Sequence, residues 1–150
     1  MKLRVLLRAV AAALVVVLPL AARPTPAGAQ IPGVTAEELA RGRMDHAEAI
    51  AGPAEVVTAR VTLQPGSSIG WHTHPGPVTF AVTAGELAWY GHDGCRTPYP
   101  AGSAGIVEPG EAHNEGNEGT QAVELVATYL VPAGAPLRSS AEAPTAACAH

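Results

Sequence analysis

Residues 65–90 read PGSSIGWHTHPGPVTFAVTAGELAWY, and the order of apolar and polar positions within them decides the fold class. Val78, Phe80 and Val82 alternate with Thr79, Ala81 and Thr83, the two-residue period of a strand with one buried face. Pro75-Gly76-Pro77 breaks this run from residues 69–73 before it, and Ala84-Gly85 turns it into a further run at 86–90. Toward the N-terminus, Val57, Ala59, Val61 and Leu63 alternate with Thr58, Arg60 and Thr62, ending at Pro65-Gly66. Toward the C-terminus, strands are predicted at 104–108 and 121–131, set apart by His92-Asp93-Gly94, Pro109-Gly110 and the Gly/Asn-rich stretch 116–119. Short strands joined by Gly/Pro turns, with no helix between them, predict an all-β antiparallel sandwich or barrel. A short N-terminal helix is expected before it: Thr35 is an N-cap residue, Glu38 its capping-box partner, and Leu39 to Met44 continue the run.

The 150 residues are 47% hydrophobic but only 4% aromatic and 15% charged, which excludes an acidic or basic disordered chain and a collagen-like repeat. Much of the apolar excess lies at the start, where AVAAALVVVLPLAA (9–22) follows Lys2, Arg4 and Arg8 and precedes Ala27-Gly28-Ala29. A positive start, a short apolar run and a small-x-small site predict a secretory signal peptide over residues 1–29 and a secreted or periplasmic protein. The run falls short of the ~20 residues a membrane span needs, so no stable span is expected after cleavage. Without residues 1–29 the chain loses four of its nine basic residues and none of its 13 acidic ones, moving the formal charge from −4 to −8. Such a surface argues against nucleic acid as a partner. The remainder divides into an N-terminal segment (30–53), the β domain (54–132), and an Ala/Pro/Ser tail (133–150) expected to be mobile unless Cys148 ties it down. Cys95 and Cys148 form a candidate disulfide, which would stabilise by roughly 4 kcal/mol in the chain-entropy model.

The one dense chemical cluster is His72-Thr73-His74. Histidines two apart on a strand point to one face and can reach one ion. His113, in EPGEAHNEGN, offers a third imidazole. Three neutral imidazoles with an open further position suit a divalent transition metal such as Fe, Mn, Ni, Cu or Zn.

With its turns, this pattern resembles the cupin family. The first cupin motif, G-x5-H-x-H-x3,4-E-x6-G, is matched by GSSIGWHTHPGPVTFAVTAG from Gly66 through His72 and His74 to Gly85. The second, G-x5-P-x-G-x2-H-x3-N, is similar to PGEAHNEGN from Pro109 and Gly110 through His113 to Asn117. The resemblance implies a jelly-roll-like cupin barrel with His72, His74 and His113 as metal ligands, and barrels that often pair as homodimers. Two departures stand out. Val78 occupies the position of the usual metal-binding glutamate, with Thr79 at the other allowed spacing, and Pro109 and Gly110 are adjacent. An inward Val78 would set an apolar wall beside the metal. Three-histidine sites are found in cupin oxygenases, so the resemblance implies an Fe(II) dioxygenase-like enzyme acting on a small organic substrate. The alternative is a non-catalytic module that binds a small ligand or metal.

Val78, Phe80 and Tyr129 are the expected pocket residues, whereas Trp71 faces away from His72 and packs outside. Glu86 reads as solvated. Glu111, Glu115 and Glu118 read as a solvated acidic loop, the lesser alternative being that one replaces the missing carboxylate or accepts from a histidine N–H. His92 reads as an exposed turn residue, and His46 and His150 as incidental. Gly85 and Gly110 are expected to need positive φ.

Overall fold

A computed structural model describes residues 30–145 and Cys148. The expected leader at 1–29 and His150 lie outside the described residues. Among those described, every regular element is a strand, and no helix is long and apolar enough to cross a membrane.

Two layers face each other. The larger is one antiparallel sheet in the order β1 (Val34–Met44), β2 (Ala54–Leu63), β9 (Val123–Pro132), β4 (Val78–Ala84), β7 (Ala104–Val107). The smaller contains β6 (Arg96–Pro100), β5 (Glu86–Tyr90) and β8 (Asn114–Gly116), with β3 (His72–Thr73) paired to β10 (Ser139–Ser140) beside them. Backbone bonds knit β8 to the segment before β3: Asn117 N to Ser67 O, Ile69 N to Glu115 O, and reciprocal bonds of 2.9 and 3.0 Å between His72 and His113. The layers are not closed into a continuous hydrogen-bonded barrel among the described residues, so the expected barrel is an open jelly-roll-like sandwich.

The core follows from the strand period. Val61, Leu63, Val78, Phe80, Val82, Leu125 and Ala127 of the large sheet meet Leu87 and Trp89 of the small one, and all are buried. Each large aliphatic or aromatic side chain taken from water contributes roughly 1.5–3 kcal/mol. Phe80 stacks on Trp89 with ring centroids 5.3 Å apart. Gly85 turns β4 into β5 at φ 73°, and Gly110 adopts φ 75°, both as anticipated. Gly76 is constrained differently, by space: a Cβ there would lie 2.0 Å from the Leu130 carbonyl oxygen. Gly76→Ala should therefore push β4 away from β9 and lower stability by about 1–3 kcal/mol, measurable as a reduced urea midpoint.

One expectation is corrected. The predicted N-terminal helix is strand β1. Its apolar residues Val34, Leu39 and Met44 are five apart, which gives a helix no buried stripe. Extended, the segment forms a ladder with β2, interrupted only by a bulge at Leu39, and sets Glu37 opposite Arg60 and Arg41 against Glu55. Backbone pairing along an open sheet edge outweighs a local capping signal. The tail is tied down, the case in which its composition was not expected to leave it mobile. Ser139–Ser140 pair with Thr73 and His72, Ala141 N donates to Trp71 O, and a disulfide joins Cys148 to Cys95, the condition under which order was anticipated. Three strands were not foreseen: β6 contains two prolines, β8 lies in a Gly/Asn-rich stretch, and β10 lies in the tail. The prolines are tolerated because β6 is an edge strand.

Candidate metal centre

His72, His74 and His113 come together on the inner face of the small layer, and ligand-capable atoms of all three lie within 4.8 Å of one another. His72 and His74 share a face through the strand period, and His113 is the cross-strand partner of His72. All three are buried, at 2%, 4% and 0% exposure.

Each ring is oriented by a backbone carbonyl. The Nδ1 of His72 lies 2.8 Å from Gly70 O, that of His74 lies 2.6 Å from Leu137 O, and that of His113 lies 2.9 Å from Glu111 O. A carbonyl can only accept, so each Nδ1 carries the hydrogen and each Nε2 keeps its lone pair. Burial pushes the pKa of His72 down to about 3 and that of His74 to about 4. The positive charge of Arg138 and the neighbouring imidazoles add to the shift. Burial lowers His113 as well. The three rings are therefore neutral donors at ordinary pH.

Trp89 stacks on His113 at 4.5 Å and 8° between planes, and Phe80 stacks on the far side of Trp89. Phe80 is thus a core residue one ring removed from the site, and Trp89 fills the place expected of it. Tyr129 stands edge-on to His74 at 5.4 Å, with its register partner Val78 beside it. Val78 is 3% exposed and packs in the core, so the position of the usual glutamate is an apolar wall. Trp71 is half-buried outside the core cluster, as anticipated. His92 is exposed beside Glu111, and Glu86 and Glu118 pair with Arg96 at the surface.

Glu115 corrects the reading of 111–118 as a solvated loop. It lies on β8, two residues after His113 and on the same face, and is only 6% exposed. Its carboxylate oxygens are 3.5 Å from His72 Nε2 and 3.7 Å from His113 Nε2. With both imidazoles neutral these contacts are not ion pairs. Burial raises the Glu115 pKa to about 8, against the opposing charge of Arg138. Glu115 Oε2 and His113 Nε2 are buried with no hydrogen-bond partner, an arrangement that costs free energy unless a cation or proton donor joins it. The donor set thus fits a divalent ion on the structure's own terms. Asn117, two residues further along the same face, anchors β8: its amide donates to Leu63 O and Gln121 O at 2.8 Å.

The cupin domain family model matches residues 59–136. The chain belongs to the cupin family. Of curated relatives, an (R)-mandelonitrile lyase from Granulicella tundricola is 39% identical over 77 residues, covering 50% of this cupin and 57% of that protein. An oxalate-binding protein from Thermotoga maritima is 32% identical over 74 residues, covering 49% of this cupin and 60% of that protein. The cupin therefore matches little more than half the length of either relative. Among solved structures, a double-stranded β-helix protein from Klebsiella pneumoniae is similar with TM-score 0.52 at 30% identity, covering 58% of this chain and 70% of its own.

Proposed function

We propose that this protein is an exported cupin that holds one divalent transition metal through the Nε2 atoms of His72, His74 and His113 and uses it to bind a small polar organic ligand. One observation carries the reading: all three Nδ1 atoms are committed to backbone carbonyls, which leaves three buried lone pairs facing one space. A bound divalent ion would supply Lewis acidity to an oxygen-bearing ligand. The protein's own part is to keep the imidazoles neutral, to hold His113 flat against Trp89, and to place Val78 and Tyr129 as the apolar and hydroxyl-bearing sides of the site. The relatives' names, a lyase and an oxalate-binding protein, support a small polar ligand and are compatible with either turnover or binding alone. Export is supported by the leader pattern in residues 1–29 and by the Cys95–Cys148 disulfide, which persists in oxidising compartments.

The test is elemental analysis of the purified protein beside a His72→Ala/His113→Ala variant. The wild type should retain close to one equivalent of metal and the variant essentially none, with both giving the same β-type circular dichroism. Equal metal in the two, or none in the wild type after incubation with Mn2+, Fe2+ or Zn2+, would overturn the assignment. Turnover assays with cyanohydrins, oxalate and, under oxygen, diketones and thiols then separate an enzyme from a binding module.

A further inference from the structure

The geometry points to Glu115 as the anionic ligand of this metal site, supplied by the second histidine strand in place of the glutamate that the first strand lacks. The inference rests on the proposed metal site and adds a donor to it. Four independent features support it. Glu115 shares a face with His113 for the same reason that His74 shares one with His72, a spacing of two along a strand. The backbone also seats it firmly, because the Glu115 carbonyl accepts from Ile69 N at 2.8 Å, and Asn117 anchors the end of β8.

The distances form the third feature. Separations of 3.5 and 3.7 Å from two imidazole Nε2 atoms are too long for good hydrogen bonds. They lie just above the spacing of donor atoms around one ion, about 3–3.5 Å for bonds near 2.1 Å, so a bound ion would need only a small contraction to take the carboxylate in. The fourth is the lack of any other partner. Among the described residues no arginine or lysine forms an ion pair with Glu115, and its Oε2 is unsatisfied although fully enclosed. A buried carboxyl group with no partner is costly, and a core position facing Trp89 would be better filled by an apolar side chain. Val78 meanwhile has no donor atom, so a carboxylate at 115 restores the mixed nitrogen–oxygen set from the opposite motif. Such a set favours harder ions than three imidazoles alone.

The experiment compares wild type with Glu115→Gln, which keeps size and shape but removes the charge. Mn2+ and Cu2+ are titrated into metal-free protein, and thermal melting is recorded without metal. Glu115→Gln should weaken Mn2+ binding by at least the ~10–100-fold that loss of even an outer partner produces, and weaken Cu2+ binding less. The same variant should melt no lower than wild type when metal-free, because a desolvated carboxyl has been replaced by an amide. A purely structural Glu115 would give the reverse, a lower melting point with unchanged affinity, and would overturn the inference while leaving the histidine site standing. Failure of the wild type itself to bind either ion would instead overturn the metal site and the inference together. Infrared difference spectra of wild type on adding Zn2+ need no variant. They should show shifted carboxylate stretches, and a spectrum with imidazole changes alone excludes Glu115.

Discussion

The metal-free protein should be most stable near pH 6.5–7 and lose roughly 2–4 kcal/mol on acidification to pH 4.5, because the buried triad cannot accept protons that the unfolded chain accepts readily. Folded His72 and His74 have pKa values of about 3 and 4 against an ordinary 6.5, and His113 is shifted in the same direction. Below pH 6.5 the unfolded state therefore binds up to three protons more than the folded state at these positions. His72 and His74 each contribute about 1.4 kcal/mol per pH unit, His113 adds in the same direction, and stability falls as pH falls. Glu115 acts in the opposite sense. Its folded pKa of about 8 exceeds the ordinary 4.5, so its contribution is full below pH 4.5 and is lost as pH rises to 8. Between pH 4.5 and 6.5 it offsets one histidine, and above about pH 7 it outweighs them, lowering stability by roughly 1 kcal/mol by pH 8. The charged group shared by the cluster is Arg138, which opposes protonation of His72 and His74 and favours ionised Glu115. Tyr129, its hydroxyl pKa raised by burial, keeps its proton throughout this range. Urea unfolding of metal-free protein at half-unit pH intervals tests the curve. In Glu115→Gln the alkaline limb should flatten while the acid limb steepens. A wild-type curve level between pH 4.5 and 6.5 would show that the imidazoles are not buried as neutral bases.

That two neighbouring strands of the small layer carry the triad and Glu115 on one face explains how far the site could be read from residues alone. The His72-x-His74 pair was legible because alternation in the strands around it was unambiguous, and its turns were legible because Gly85 can take positive φ at no steric cost. Glu115 obeyed the same rule, but its strand is three residues long and built from Asn, Glu and Gly, which ordinarily signal a turn. Only pairing with Trp89 on one side and the Ile69 segment on the other makes it a strand, and neither contact is local in sequence. The signal that could have found it was the His113-x-Glu115-x-Asn117 spacing, which repeats the His72-x-His74 period.

The N-terminal segment failed for the complementary reason. Thr35 and Glu38 carry a genuine local helix signal, whereas the force that prevails is the unpaired edge of β2 some twenty residues later, with Arg60 and Glu55 placed to receive Glu37 and Arg41. Exposed ion pairs of this kind each contribute little. The ladder of backbone bonds decides the outcome, and charged side chains facing solvent make a strand at the sheet edge tolerable. Trp89 was missed as a neighbour of the site because its role depends on which strand lies beside β8, information that composition and periodicity do not contain.

Removing the disulfide should produce the second large effect, because the C-terminal tail (133–150), the strap across the site, has little else among the described residues to hold it. The Cys95–Cys148 bond spans 53 residues, for which the chain-entropy model gives about 4 kcal/mol of stabilisation. Without it, among the described residues the tail after Pro132 is retained by a two-residue strand, the Ala133–Pro53 and Ala141–Trp71 backbone bonds and the His74–Leu137 bond, too few contacts to offset the entropy of ordering the segment alone. A Cys95→Ser/Cys148→Ser variant, or wild type kept in excess reductant, should therefore unfold at markedly lower urea. The site should register the loss as well, since Leu137 supplies the carbonyl that fixes the tautomer of His74. Releasing an imidazole from such an acceptor typically weakens metal binding ~10–100-fold, so the disulfide-free variant and a chain ending at Pro132 should both bind Zn2+ less tightly than the oxidised protein. The truncated chain should show the full deficit, and the cysteine variant only the fraction set by how often the strap detaches. Equal urea midpoints for oxidised and reduced protein, or unchanged Zn2+ affinity in the truncated chain, would mean that the strap decorates the site without supporting it.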